Sequence, residues 1–200
     1  MQKFLESHPE FVLEKPNVTF GRPAYGVDAV RIFPMDGGEG HFAARFRRVA
    51  PCEEHFAPFS FKPDRETQAH AEELYTSLFT DVPGRFQRVR DRVILLPNEL
   101  PDIAGLSVLR AGVEFGEAKK NRIEPAHGIF MASRAENCRS VLHLTSNDPA
   151  LFAFLRGEEI PAEGLSGYTA VAADGIVTGF GKASNGVLKN RYPKGLRTHL

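Results

Sequence analysis

Tyr168-Thr169-Ala170-Val171-Ala172 and Ile176-Val177-Thr178-Gly179-Phe180-Gly181 are the most regular stretch of the chain. Between them stands Ala173-Asp174-Gly175, a tight-turn sequence whose Asp-Gly pair accepts the left-handed backbone that a short hairpin needs. A second turn, Asn185-Gly186, leads into Val187-Leu188-Lys189. Short strands joined by tight turns predict a small β-barrel. Upstream of it, Val141-Leu142-His143-Leu144 predicts a further strand. Asp148 is placed to cap a helix reaching about Leu155.

The rest of the sequence is a mixture of helix and strand. Residues 3–8 predict the end of a short helix stopped near Pro9, followed by a strand at Phe11–Leu13. Ala29–Phe33 and His41–Arg47 predict two more strands on either side of the glycine-rich turn Met35–Gly40. Pro51, Pro58 and Pro63 break any regular element between Pro51 and Asp64. Glu66–Phe79 predicts a helix with an apolar stripe of Ala69, Leu74, Leu78 and Phe79. Phe86–Arg90 and Val93–Leu96 predict a hairpin turned at Asp91-Arg92. Pro125–Ala132 predicts a short helix with proline in its first turn.

The 200 residues are 42% hydrophobic, enough for a packed core. The apolar runs are too short for a membrane-spanning helix. The first residues carry no apolar signal core, and two cysteines are too few for a secreted disulfide framework. A cytoplasmic protein without membrane association is expected. Net charge is zero, yet the ends differ. From Gly175 onward there are five basic residues (Lys182, Lys189, Arg191, Lys194, Arg197) and no Asp or Glu, whereas residues 51–120 hold 9 basic and 12 acidic residues. Such a local basic end on a neutral protein is either a solvated tail or a patch that meets an anion.

Catalytic and metal chemistry find little support. Gly37-Gly38-Glu39-Gly40 sits between strands, so it is a turn rather than a phosphate loop. Cys52 and His55 have metal-like spacing without two further ligands nearby. Cys138 and His143 are neighbours in sequence, which does not make a nucleophile and base. No catalytic residue and no metal ligand is assigned.

Three stretches stand out: Arg31-Ile32-Phe33-Pro34 with Gly38–Arg45, Asn121–His127, and Gly179–Lys182 with Asn185–Arg197. Together they resemble the Sun-type (NOL/NOP/Sun) bacterial RNA cytosine-5 methyltransferases, RsmF-like in particular. The first is similar to the closing strands of the methyltransferase domain, and the second to the entry into a C-terminal extension. The third is similar to the terminal PUA-like RNA-binding domain. The resemblance implies an α+β chain: a small mixed PUA-like β-barrel preceded by a short αβ segment like the end of a Rossmann-like methyltransferase domain. It implies terminal methyltransferase strands at 1–50, a linker and small αβ segment at 51–120, and the RNA-binding domain at 121–200.

In the family, an S-adenosylmethionine site and two catalytic cysteines precede the Gly-Glu-Gly strand; neither is expected among these residues, so no cofactor is expected here. Pro51-Cys52 imitates the family's Pro-Cys dipeptide, but it follows the closing strand, and Glu53 and Glu54 would raise its thiol pKa. Met35 stands where the family usually has a histidine. The resemblance implies a module that holds RNA, specifically small-subunit ribosomal RNA, for a methyltransferase core. Lys182, Lys189, Asn190, Tyr192, Lys194 and Arg197 are the expected RNA face, with Lys119, Lys120 and Arg122 as an extension. Cations neutralise phosphate and an aromatic ring stacks on an unpaired base. Tyr192-Pro193 could equally pin the chain end, and Phe180 is expected in the core. Two alternatives stay open. One is a subunit completing a split methyltransferase, which Phe42 and Phe46 on an unpaired strand would favour; its partner would be the catalytic half. The other is a protein-interaction domain without an RNA role.

Overall fold

In the computed structural model, which describes residues 1–51 and 57–198, the chain divides into two units, 1–55 and 56–200. Cys52 and His55 lie outside the described residues.

The first unit has a helix α1 (Gln2–Ser7) and four strands, β1 (Phe11–Glu14), β2 (Arg22–Pro23), β3 (Ala29–Ile32) and β4 (His41–Arg48). The sheet order is β1-β4-β3-β2, antiparallel throughout. The expected strands are present, but β4 pairs with β3 along His41–Ala44 and with β1 along Arg45–Arg48. Phe42 and Phe46 therefore do not lie on an unpaired strand, as the sequence suggested. Phe46 meets Phe4 of α1 with ring centroids 5.2 Å apart. Little else is covered: Ala24 and Ala29 are the buried apolar residues of this unit, while Phe20, Tyr25 and Met35 are 62%, 82% and 76% exposed. Two alanines do not make a core.

The second unit opens with α2 (Arg65–Leu78). Asp64 caps it: one carboxylate oxygen accepts the Glu66 N–H (3.2 Å) and the other the Thr67 hydroxyl (2.6 Å). The buried face is Thr67, Ala71, Tyr75 and Leu78. Ala69, expected on the apolar stripe, is exposed. Then follow β5 (Arg85–Val89), β6 (Arg92–Leu96), β7 (Val113–Lys119) and β8 (Arg122–Pro125), an antiparallel meander in chain order. The β5–β6 turn is Arg90-Asp91, one residue earlier than predicted, with Arg90 at φ 60°. Pro125 ends β8, and the short helix α3 starts at His127 and runs to Met131. β7 went unpredicted. Its hairpin with β8 pairs Lys119 with Arg122, so the sheet runs straight across the boundary expected at 120/121.

The third layer is the barrel portion. It comprises β9 (Val141–Leu144), α4 (Pro149–Arg156), β10 (Ile160–Pro161), β11 (Gly167–Ala173), β12 (Ile176–Ser184) and β13 (Val187–Asn190). The sheet order is β10-β13-β12-β11-β9, with β9 parallel to β11 and the other pairs antiparallel. A parallel pair needs a crossover connection, and α4 lies in it. Asp148 caps α4 by accepting the Ala150 N–H (2.8 Å). Asp174-Gly175 makes the predicted turn with φ of 46° and 83°. The fold is α+β with a curled, PUA-like mixed sheet at the C-terminal end, as the sequence indicated.

This sheet is covered on both faces. One face carries Phe154 of α4 against Ile160, Val171, Ala183 and Leu188. The other joins Ala170, Val177 and Phe180 to Tyr75, Phe86, Phe115, Ile129 and Phe130 in one continuous core. Phe130 of α3 and Phe180 of β12 stack with centroids 4.3 Å apart and planes 8° from parallel. The meander and the barrel are thus two parts of one packed body. Phe130→Ala should cost about 3–5 kcal/mol. Denaturant melts followed by a meander probe and by a barrel probe should shift together; separate transitions would mean that the two parts fold independently.

Candidate nucleic-acid interface

Strand register decides which basic residues share a face. Tyr168 on β11 lies opposite Lys182 on β12, and Lys182 lies opposite Lys189 on β13. Opposite residues on paired strands point to the same side of a sheet, so these three form a row. Phe180, two residues before Lys182, belongs to the same face by the strand's period of two. Phe180 is buried in the core, as expected, and Lys182 and Lys189 are exposed. The Lys182 ammonium sits 5.5 Å from the Tyr168 ring centroid, a cation–π contact.

Beside the row is a hollow of about 660 Å³ lined by Arg122, Arg191, Tyr168 and Lys182 together with Glu73 and Glu124. Arg122 donates to Glu124 (2.7 Å), and this hydrogen bond, with the cation's charge, holds the Glu124 carboxyl below its ordinary range. Lys119 pairs with Glu117, and Lys120 is exposed in the β7–β8 turn. Among the described residues, Lys182, Lys189, Arg191 and Lys194 have no ion-pair partner. Their charge is available to a bound anion.

The remaining tail residues occupy a different place. The Asn190 side-chain amide donates to the carbonyls of Phe154 (2.8 Å) and Glu158 (2.9 Å), and its oxygen accepts the Tyr192 N–H (2.7 Å). It therefore ties the end of β13 to the C-terminal turn of α4. The Tyr192 ring packs 5.5 Å from Phe154 and meets His127 edge-on at 5.4 Å. Arg197 donates to the Tyr192 carbonyl (3.4 Å). Its guanidinium covers Gly157, the α4 C-cap at φ +91°, where a Cβ would collide with it. These three side chains hold the chain end on α4. Lys194 lies exposed between them.

The structure thus brings together Lys182, Lys189 and Arg122 of the predicted face. It adds Tyr168 and Arg191, which sequence reasoning did not assign. Arg191 was visible as part of the basic tail. Tyr168 carried no local signal, because only the β11–β12 pairing places it beside Lys182. Cys138 is buried; burial pushes its thiol pKa up, and its sulfur contacts the Ser133 hydroxyl (3.3 Å). His143 is exposed on β9, and the Cys138 thiol is engaged by Ser133 and the Arg134 carbonyl rather than by His143, so the two do not form a nucleophile–base pair.

The family model described as the RsmF rRNA methyltransferase first C-terminal domain matches residues 54–132, which hold α2, the meander and α3. The model described as the methyltransferase RsmF PUA domain matches residues 141–198, the barrel portion.

Two outcomes follow from the docked tail. Asn190→Ala leaves two carbonyls and one N–H without their partner and should cost about 1–3 kcal/mol in a denaturant melt; unchanged stability would show that the amide is dispensable. Burial depresses the His127 pKa below its ordinary 6.5, so the fold favours the neutral ring. That contribution is present above the unfolded value and is lost as pH falls below it. His127→Phe should therefore flatten the pH dependence of stability between about pH 7 and 5. An identical pH profile in the variant would exclude His127 as its source.

Proposed function

Because residues 54–132 and 141–198 make this chain a C-terminal region of an RsmF-like rRNA methyltransferase, we propose that it is the enzyme's RNA-binding module. It positions structured RNA, of the small ribosomal subunit, for cytosine-5 methylation by a core outside these residues. The observation that carries this is the row Tyr168–Lys182–Lys189 with Arg122 and Arg191 beside it. Phosphate contacts supply affinity and counterion release, while an aromatic ring offers a surface for an unpaired base. Lys194, Lys119 and Lys120 extend the positive field. Asn190, Tyr192 and Arg197 act on RNA through the chain end they hold in place.

Each phosphate-neutralising cation adds roughly −0.7 to the slope of log affinity against log salt on single-stranded RNA. Lys182→Ala combined with Lys189→Ala should flatten that slope by about 1.4 units. An unchanged slope would move the RNA face away from this sheet.

The S-adenosylmethionine site and the catalytic cysteines belong, in this proposal, to the methyltransferase core. Calorimetry of the isolated chain with S-adenosylmethionine should give no binding heat; micromolar binding would place a cofactor site within these residues. A second reading has its own support. The first unit covers so little apolar surface that it needs a further polypeptide segment to be stable. Completion of a methyltransferase sheet, within one chain or from a separate catalytic half, would supply it.

A further inference from the structure

Next to the basic row lies a larger cleft, of about 900 Å³, between the C-terminal turn of α2, the start of β9, the Gly164–Gly167 loop and β11–β12. We propose that this cleft receives a single unpaired nucleotide extruded from the bound RNA, an inference that rests on the RNA-binding function above.

Its charge pattern differs from that of the neighbouring hollow. Arg139, His143 and Lys182 line it, and no Asp or Glu does, whereas Glu73 and Glu124 line the hollow. A cleft with cations and no carboxylate selects an anion. Arg139 is held for this task. Its Nε–H donates to the Thr76 carbonyl (2.6 Å) and its backbone N–H to the Leu78 carbonyl (2.9 Å). Fixing the guanidinium through Nε leaves its two terminal NH2 groups for a ligand, and among the described residues no carboxylate pairs with them. Such a fork suits two phosphate oxygens.

The rest of the wall suits a sugar and a base. Tyr168 presents its ring at the boundary that this cleft shares with the basic row, so a nucleotide leaving the row meets an aromatic surface. Ser166 is exposed in the loop and offers a hydroxyl for a polar edge, while Ser140 across the cleft is held by the Thr169 hydroxyl (2.9 Å). The volume is within the range of small-ligand sites. Arg139 and Ser140 precede the barrel strands, and Ser77 and Leu78 close α2, so the cleft exists only because α2 and the barrel pack as one body.

The test uses two RNA hairpins, identical except that one carries a single-nucleotide bulge, in anisotropy titrations with the whole chain. The chain should prefer the bulged hairpin by about tenfold. Arg139→Gln should abolish the preference and leave affinity for the paired hairpin unchanged. Ser166→Glu, an exposed loop position with no part in the core, should abolish it independently should Arg139→Gln disturb the fold. Lys189→Ala should weaken both hairpins alike. Equal affinity of the unaltered chain for the two hairpins, or a preference that survives both cleft substitutions, overturns the proposal while leaving RNA binding intact. Failure to bind either hairpin overturns the RNA-binding function itself. Uridine 5′-monophosphate should compete for the bulged hairpin better than inorganic phosphate at equal ionic strength; equal competition would mean a bare phosphate site and overturn nucleotide capture.

Discussion

The stack of Phe130 on Phe180 is the contact on which the second unit depends. A sheet of five short strands with α4 on one face still has a second apolar face, and that face must be covered. Phe180 stands on it, and Phe130 projects onto it from α3, whose backbone is fixed by the end of β8. Tyr75, Phe79, Phe86 and Phe115 continue the same core into α2 and the meander. The two regions matched by separate family models are therefore not separate globules. The apolar surface of each is the solvent of the other, and rings in near-parallel contact lose dispersion energy steeply when displaced. The relative placement of Arg122, Tyr168, Arg139 and Lys182 is inherited from that constraint.

Much of the barrel was legible because its signals are local. Asp174-Gly175 and Asn185-Gly186 need left-handed backbone that few residue pairs provide, and Asp148 marks the start of α4 by side-chain capping. β7 was not legible. Val113-Glu114-Phe115-Gly116-Glu117-Ala118-Lys119 alternates imperfectly, since Gly116 is buried against Ile123 and Glu124 where a side chain would clash. Its strand character comes from pairing on both sides, a tertiary effect that propensity does not record. The α2 face was read in part: Leu74, Leu78 and Phe79 pack on the core as expected, but the helix also turns Ala71 and Tyr75 inward to meet the meander and leaves Ala69 outside.

The site divides along the same line. A tail with five cations and no carboxylate side chain is visible from composition, but composition treats all five as equivalent. Lys182 and Lys189 project from strands, Arg197 folds back on Gly157, and Asn190 saturates its amide on the α4 carbonyls. An amide with three hydrogen bonds inside the protein has little left for a base edge, so in the proposed function it acts only through the position of Tyr192 and the chain end. Conversely Tyr168, separated from Lys182 by a hairpin, becomes its neighbour only through register. One residue of slip between β11 and β12 would send Tyr168 to the opposite face.

Two anion-attracting surfaces then meet at Lys182, and they differ in what they can discriminate. In the hollow beside the row, Glu124 neutralises Arg122 and Glu73 stands nearby, so its attraction for an anion comes from Lys182 and Arg191. The cleft holds Arg139 fixed and no carboxylate, so it favours a phosphate brought close. A bulged or looped nucleotide is already unstacked and reaches such a cleft without the unpairing that a duplex nucleotide would require. In the proposed function shape and charge therefore act in the same direction: the row offers cations to any RNA backbone, and the cleft offers a place to RNA that carries a free nucleotide. Because Lys182 lines both surfaces, under the proposal its charge is common to grip and discrimination, while Arg139 belongs to the cleft alone and Lys189 to the row alone.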